Sequence, residues 1–452
     1  MANAPLSVEA LRSAVADGTV DTVVVAIVDL QGRLQGKRVD ARFFLEDVLE
    51  HGTEGCNYLL AVDVEMNTVD GYGISSWQTG YGDFVMVPDL STLRIVPWEP
   101  GTAWTLADVR WLDNSPVVES PRQILQRQLE RLAERGWTAF VGTELEFILF
   151  DETYESAWSK RYNGLIPSNQ YNVDYSILGT SRVEPVLRAI RLAMRDAGMQ
   201  VESAKGECNF GQHEIAFKYS DALKTCDNHV IYKTGAKQIA AEHGKALTFM
   251  AKYNEREGNS CHIHLSLRSQ QGEPVFAGGH IGGVSTLFQQ FLAGQLAALR
   301  ELSYFFAPNV NSYKRYQPGS FAPTAVLWGL DNRTCALRTV GRGHALRFEN
   351  RVPGGDVNPY LAVAAMIAAG LYGVDHELPL EAAFSGNGYD ADAARVPSSL
   401  REAVALWEGS TIARQAFGDA VVDHYTNTAR VELAAFDAAV TDWELIRSFE
   451  RM

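Results

Sequence analysis

Hydrophobic residues near the start of the chain alternate with polar ones in short runs, which is typical of β-strands. The run DTVVVAIVDLQGRLQGKRV has two such segments around Gln31-Gly32 and predicts a hairpin. Residues 84–98 predict a second strand–turn–strand block, and residues 5–19 a short helix. Residues 67–83, rich in Gly, Ser and aromatic residues, predict a long loop, and such loops often carry function. Together these patterns predict a small, mostly β domain over residues 1–105.

The rest of the chain mixes helical and strand patterns. Apolar positions three and four apart between Pro121 and Gly136 predict an amphipathic helix. The apolar run TAFVGTELEFILF at residues 138–150 predicts a strand, and residues 359–450 are mostly helical in pattern. These patterns predict a second, larger α+β domain over residues 106–452.

Two carboxylates lie inside the predicted strand at residues 138–150. Glu144 and Glu146 are two positions apart, so they point to the same face of the strand. Adjacent carboxylates repel each other unless one is protonated or a cation bridges them. The pair therefore indicates a metal or acid–base site, with an acidic stripe facing solvent as the alternative.

Two later segments carry the same kinds of side chain. Glu207 and Glu214 bracket a Gly-Gln turn, so a hairpin could bring them toward one point. His262, His264 and Ser266 alternate along a strand and share a face, which fits either a site or a buried structural group. Carboxylates with an imidazole form a set of mainly oxygen ligands, which suits Mg²⁺ or Mn²⁺.

A dense set of arginines follows between residues 311 and 351. Because Arg binds carboxylate and phosphate through two hydrogen bonds at once, the set predicts an anionic ligand; a surface salt-bridge network is the alternative. The chain has no GxxxxGK[ST] motif and no GxGxxG after a strand, so metal ions and arginines would have to hold any phosphates. The arginines are Arg315, Arg333, Arg338, Arg342, Arg347 and Arg351.

Charge and composition narrow the choice of partners and compartment. The formal net charge of −15 argues against nucleic acid and anionic membranes as partners. Five cysteines without a CxxC pair argue against a disulfide framework and a structural zinc site. The N-terminus lacks a signal-peptide pattern, and no apolar run approaches the roughly 18 residues that span a bilayer. We therefore expect a cytoplasmic protein.

In order and spacing, these blocks resemble the signature segments of the type I glutamine synthetase family. The resemblance extends from DLQGRLQGK through PDLSTLRIVPW to Asn358-Pro359-Tyr360 and is most specific in NSYKR (311–315), NRTCALR (332–338) and RFENR (347–351). It implies an N-terminal β-grasp domain followed by a half-barrel catalytic domain. It also implies a homo-dodecamer of two hexameric rings, in which each active site lies between the small domain of one subunit and the large domain of its neighbour.

The same resemblance implies an ATP-dependent ligase that phosphorylates the γ-carboxylate of glutamate and passes the glutamyl group to an amine. Of two divalent ions, Mg²⁺ or Mn²⁺, one would be held by Glu146, Glu207 and Glu214 and the other by Glu144, His262 and Glu349. The other implied roles are catalytic for Arg338, Glu207 and Asp70, substrate-binding for Gly258, Arg315, Phe321, Arg333, Arg351 and Tyr175, and nucleotide-binding for Glu202, Tyr219, His264, Ser266, Arg338 and Arg347.

The sequence departs from the ammonium-using members of the family at two places. Those members carry a Glu six residues after the Arg of NSYKR, and this chain has Phe321 there. An aromatic ring has no carboxylate charge for NH₄⁺, but it can pack against the carbon atoms of a larger amine. The family's DGSS segment appears here as Asp70-Gly71-Tyr72-Gly73. The overall pattern is most similar to the actinobacterial branch that joins glutamate to ethanolamine.

Three alternatives remain at this stage. The amine could be ammonium, as in glutamine synthetase itself, or a polyamine. The chain could instead be a catalytically silent paralogue that acts as a regulatory binding protein. The complete set of carboxylates and arginines argues against this last alternative, because a protein that only binds has no physical need for all of them.

Overall fold

The computed structural model describes residues 6–278 and 283–452. The N-terminal part of the chain forms the first of two sheets. The strands of this sheet are β1 (Thr22–Val28), β2 (Leu34–Asp40), β3 (Thr53–Cys56), β4 (Asp83–Pro88), β5 (Arg94–Ile95) and β6 (Thr102–Arg110). Their order is β2-β1-β6-β4-β3, with β5 also paired to β6. β1 runs parallel to β6, whereas β1 and β2 form the antiparallel hairpin that the sequence predicts.

The second sheet is built around one long strand. Its strands are β7 (Trp137–Phe150), β8 (Val201–Gly206), β9 (Gln212–Phe217), β10 (Ser220–Asp221), β11 (Ala246–Thr248), β12 (Cys261–Ser269), β13 (Trp328–Leu330), β14 (Leu337–Val340) and β15 (Arg347–Asn350). The order is β13-β14-β15-β12-β7-β9-β8, and β10 and β11 also pair with β7. β7 is the apolar strand predicted at residues 138–150, and its central position explains why both of its faces are largely buried.

Helices lie along the whole chain, and those that pack on the second sheet all begin at or after residue 121. They are α1 (Val8–Ala16), α2 (Ala41–Phe43), α3 (Leu49–His51), α4 (Pro121–Ala133), α5 (Tyr154–Ser159), α6 (Ile177–Ser181), α7 (Glu184–Asp196), α8 (Ala222–Glu242), α9 (Thr286–Ala298), α10 (Ser303–Phe306), α11 (Pro359–Asp375), α12 (Leu400–Glu408), α13 (Thr411–Phe417), α14 (Asp419–Ala438) and α15 (Asp442–Ser448). α11 is apolar nearly all round and is buried against α4 and α9, as expected for a central core helix. The predicted first helix is α1; residue 5, where that prediction starts, lies outside the described residues.

One buried arginine connects the N-terminal sheet to two helices of the larger part. Arg122, in α4, forms ion pairs with Asp89 and Asp108 of the N-terminal part, both at 2.5 Å. Its Nε also pairs with Asp227 Oδ1 in α8 at 3.0 Å, and the Tyr360 hydroxyl donates to the same oxygen at 2.7 Å. Because the guanidinium is buried, these carboxylates replace the solvation that water would otherwise provide.

The predicted domain boundary at residue 105 falls within β6, which pairs with β1 and β4 along its length. A turn-rich segment at residues 98–104 suggested that boundary, but the chain enters β6 directly from it. The division into two domains remains a prediction, and we would place it after Arg110. None of the helices in the described part of the chain combines the length and apolar character needed to cross a bilayer.

Candidate active site

Strand register brings three carboxylates together at one edge of β7. Glu146 lies directly opposite Glu214 in the β7–β9 pair. Glu207 follows β8, and its backbone N–H donates to the Gln212 carbonyl at 2.9 Å, which closes the turn before β9. As a result, carboxylate oxygens of Glu146, Glu207 and Glu214 lie within 4.8 Å of one another. This is the first of the two ligand sets that the family resemblance implies.

Hydrogen bonds fix the Glu146 carboxylate within this set. It accepts from the Ser260 backbone N–H at 2.7 Å, from the Ser260 hydroxyl at 2.5 Å and from Gln212 Nε2 at 3.1 Å. A carboxylate held by three donors keeps one orientation and is therefore already positioned to coordinate a metal ion.

The other two carboxylates are held near each other at an electrostatic cost. Burial raises the pKa of Glu207 to about 8, and the nearby Glu146 charge adds to the effect. Burial also raises the pKa of Glu214. Lys205 Nζ contacts Glu207 and lies 4.0 Å from Glu214 Oε2. A divalent cation would relieve this repulsion, so the donor set fits a hard metal ion.

The second set forms across β7, β12 and β15. His262 lies opposite Glu144 in the β7–β12 pair. Its Nδ1 is 3.4 Å from Glu144 Oε2 and 3.3 Å from Glu349 Oε1. Glu349 is fully buried and pairs with Arg338 at 2.9 Å and Arg351 at 2.5 Å. Burial opposes its ionisation, but the charges of His262 and Arg351 hold the pKa of Glu349 below its usual value.

All members of the two sets except the fully buried Glu349 line a cavity of about 440 Å³. Arg315 is buried in its wall and donates to the carbonyls of Val352 at 2.9 Å and Arg351 at 3.3 Å. Gly258 packs directly against Arg315, so closely that a Cβ there would lie 2.4 Å from Arg315 Cγ. The structure brings to this cavity every residue predicted to bind substrate, namely Tyr175, Gly258, Arg315, Phe321, Arg333 and Arg351, together with Arg338.

A second cavity, of about 450 Å³, lies on the other side of Glu144, which lines both. Glu144 Oε1 is 2.9 Å from His264 Nε2, and Arg347 Nε donates to His264 Nδ1 at 3.2 Å, so the proton of the imidazole lies on Nε2. Burial opposes ionisation of the Glu144 carboxyl group, but hydrogen bonds from His262 and His264 hold the pKa of Glu144 below its usual value. The predicted nucleotide contacts Glu202, Tyr219, His264, Ser266 and Arg347 all line this cavity, whereas Arg338 does not.

Comparison with known proteins places this arrangement in a family. The model for the glutamine synthetase catalytic domain matches residues 118–448. The chain is 68% identical over 448 residues to gamma-glutamylethanolamide synthetase GlnA4 of Streptomyces coelicolor, covering 99% of this chain and 96% of that protein. The chain belongs to the glutamine synthetase family. Members of this family use ATP and divalent metal ions, and the family assignment made from the sequence is confirmed.

Other members of the glutamine synthetase family match along almost the whole chain. Glutamate–isopropylamine ligase of a Pseudomonas species is 38% identical, over 97% of this chain and 96% of that protein. A solved complex of GmaS with ADP superposes with a TM-score of 0.85 at 28% identity, covering 99% of this chain and 100% of that one. The predicted catalytic fold of the family is therefore confirmed.

The buried Glu349 lines neither cavity but pairs with Arg338 and Arg351, which line the first, whereas Asp70 lies away from both cavities. Asp70 is exposed, and its carbonyl accepts from Asn427 Nδ2 at 3.0 Å. The Tyr72 hydroxyl donates to Thr428 at 3.0 Å, so the predicted loop is fastened to α14. A catalytic role for Asp70 therefore requires the neighbouring subunit, as the shared active site implied by the family resemblance would provide.

Sequence reasoning missed several charged residues at or beside the two cavities, Glu257 in the first cavity among them. Lys205 precedes Glu207 by two positions, and this spacing could have shown that both reach the same face. Asp174 also lines the first cavity, next to Tyr175. Asp331 pairs with Arg338 from the far end of β13, and only the sheet pairing could have revealed that contact.

Proposed function

We propose that this protein is an ATP-dependent ligase that joins the γ-carboxylate of glutamate to ethanolamine and forms ADP and phosphate. The observation that carries the proposal is the meeting of the two cavities at Glu144, which belongs to the second candidate metal set. One cavity is rich in arginine and suits a dicarboxylate, and the other carries the family's nucleotide residues. The relative named for gamma-glutamylethanolamide synthesis, at 68% identity, supports the choice of product.

The reaction would proceed in two steps across this junction. The γ-carboxylate of glutamate attacks the γ-phosphorus of ATP, the bond to the bridging oxygen breaks, and ADP leaves. The amine, once its ammonium form has lost a proton to solvent, attacks the acyl carbon of γ-glutamyl phosphate with its free electron pair and forms the C–N bond. Phosphate leaves with the electron pair of the broken C–O bond, and the nitrogen releases a second proton to give the amide. Phosphate is a far better leaving group than oxide, which is why the first step is needed.

The charged side chains have distinct tasks in this scheme. Arg315 and Arg351 would bind the carboxylates of glutamate, and Arg333 and Arg338 would face the transferred phosphoryl group. Divalent ions held by the two carboxylate sets would neutralise charge on that group. Because Arg338 and Arg351 already pair with Glu349, these two guanidinium groups are held in position before substrate binds.

The domain architecture and the assembly of subunits are part of the same proposal. The N-terminal sheet would be a β-grasp domain, and the second sheet with its helices the half-barrel of the family. Subunits would assemble as two stacked hexameric rings in the cytoplasm, and the Asp70 loop of one subunit would complete the site of the next.

An amine panel tests the proposal directly. Phosphate release is measured with glutamate, ATP and Mg²⁺ or Mn²⁺ in the presence of ethanolamine, ammonium, putrescine or isopropylamine, and the products are identified by mass spectrometry. We expect γ-glutamylethanolamide as the main product. No amine-dependent phosphate release with any of them would favour the silent paralogue, and a preference for ammonium or putrescine would replace the proposed substrate.

Phe321 provides a prediction about the amine. Its side chain is 56% exposed and lines the first cavity. Burying the two carbons of ethanolamine against such a ring contributes about 1–2 kcal/mol, or roughly a ten-fold preference over ammonium. We expect Phe321→Glu to lower kcat/KM for ethanolamine relative to ammonium by about that factor, because a carboxylate then favours the smaller cation.

Phe321→Gln is the matched control, because it has the shape of Glu without the charge. The backbone of Phe321 is left-handed, with φ of 58°, and both replacement residues must adopt this same conformation. If Phe321→Glu keeps the wild-type ratio of the two kcat/KM values, the ring does not set the preference.

A further inference from the structure

We propose that Lys205 is a built-in counter-ion of the first carboxylate set: its charge weakens the binding of a divalent cation by Glu146, Glu207 and Glu214 and keeps the loaded site from repelling glutamate. The inference rests on the proposed ligase function and concerns how the chain itself sets the affinity of this site. Lys205 lines the first cavity together with all three carboxylates, but an ammonium nitrogen has no electron pair with which to coordinate a metal ion.

Strand register fixes the place of Lys205. It lies directly opposite Glu214 in the β8–β9 pair, and Glu214 lies opposite Glu146 in the β7–β9 pair. Residues opposite each other on adjacent strands point to the same face of a sheet, so these three side chains form one row across three strands. Glu207 follows Lys205 by two positions and reaches the same face just beyond the end of β8. The row of carboxylates therefore ends in an ammonium group.

The contacts of this ammonium group are with the candidate metal ligands themselves. Lys205 Nζ contacts Glu207 Oε1 and lies 4.0 Å from Glu214 Oε2, and these are its ion-pair partners in the part of the chain that the structure describes. Burial opposes the charge of the side chain, but the charges of Glu214 and Glu207 raise the pKa of Lys205 above its usual value. The set therefore carries a cation of its own before any metal ion binds.

The charge of Lys205 has two opposite effects on the loaded site. It repels a divalent ion at the neighbouring carboxylates, so the set binds that ion more weakly than three carboxylates alone would. Three carboxylates that are ionised as metal ligands also exceed the charge of one divalent ion by a single unit, and the ammonium group removes this excess. The loaded set is then neutral, in the same cavity where Arg315 and Arg351 would bind the carboxylates of glutamate.

The first test measures Mn²⁺ binding to the metal-stripped, full-length protein without substrates. Electron paramagnetic resonance follows free Mn²⁺, and the binding that Glu214→Ala loses identifies the ion at the first set. We expect the Kd of this ion to fall about ten-fold or more in Lys205→Met, because a like charge is removed, and to stay near the wild-type value in Lys205→Arg. Lys224→Met removes an equal charge from an exposed position outside both cavities and should match wild type.

The second test uses the proposed reaction at saturating Mn²⁺. We expect the KM for glutamate to rise several-fold in Lys205→Met and to return toward the wild-type value in Lys205→Arg, because only the uncharged variant leaves an excess negative charge in the cavity. A loss of packing at this position does not produce tighter metal binding together with weaker glutamate binding.

Each outcome has one meaning. An unchanged or higher Kd for Mn²⁺ in Lys205→Met overturns the inference, and so does an unchanged KM for glutamate or an equal change of the Kd in Lys205→Arg. Lys205→Gln keeps a polar group beside Glu207 without the charge, and it decides the matter if Lys205→Met does not fold. If the wild type releases no phosphate with any amine, the proposed ligase function fails, whereas the Mn²⁺ measurement needs no turnover and still decides the role of Lys205.

Discussion

Glu214→Ala is expected to lose nearly all ligase activity, and EDTA is expected to abolish the activity of the wild type. Glu214 faces Glu146 across the β7–β9 pair, and Glu207 completes the set. Removing one of three oxygen ligands leaves an incomplete shell around the ion, and we expect kcat/KM to fall roughly a hundred-fold or more. Steady-state phosphate release with Mg²⁺ or Mn²⁺ measures the loss.

A second measurement separates metal loss from misfolding. Because an ion that binds only the folded protein stabilises it, Mn²⁺ should raise the Tm of wild type but raise that of Glu214→Ala less. Glu381→Ala, at an exposed position, is the control and should behave as wild type in both assays. Full turnover of the wild type in a metal-free preparation would contradict the prediction.

Gly258→Ala is expected to damage glutamate binding more than its single methyl group suggests. The new Cβ would lie 2.2 Å from the Ala251 carbonyl oxygen and 2.4 Å from Arg315 Cγ. The Asn259 N–H donates to this carbonyl at 3.0 Å and holds it, so the backbone at residue 258 must move away from it and the Arg315 side chain must shift as well. A displaced guanidinium misplaces the glutamate carboxylates, and a shift of about 1 Å can cost roughly a hundred-fold in rate.

The expected pattern for Gly258→Ala is a lower kcat/KM for glutamate with little change in the KM for ATP, since Gly258 is not part of the second cavity. Gly409→Ala is the control, because its nearest neighbour, the Ala405 carbonyl oxygen, would be 3.5 Å from the new Cβ. An unchanged kcat/KM for glutamate would show that Arg315 does not depend on the space left by Gly258.

Local patterns predicted the parts of the site that lie on single strands. Glu144 and Glu146 were placed on one face by a spacing of two, and His262 and His264 by the same rule. That these two pairs lie on adjacent strands depends on the register between β7 and β12, which the amino-acid pattern does not encode. The family resemblance, rather than the pattern, assigned Glu349 to the same metal site as Glu144 and His262.

Other features depend on contacts between distant segments. Asp174 lies in a polar stretch without periodicity, and its place beside Glu207 follows from the path of the chain between α5 and α6. The contribution of Asp70 would involve a second subunit, which no pattern within one chain describes. Residue 105 lies within β6 because turn residues can precede a strand as easily as a linker, and the division into two domains stays a prediction.

The ion pairs of Arg122 have a consequence for how the chain could be divided. This residue belongs to the segment that the family model matches, yet two of its three carboxylate partners, Asp89 and Asp108, precede that segment. Cutting the chain at the start of the match would leave the buried guanidinium short of negative charge, and breaking a buried pair typically costs about 3–5 kcal/mol. The segment that the family model matches is thus smaller than the unit that folds, and we expect the catalytic part to lose stability when it is separated from its N-terminal sheet.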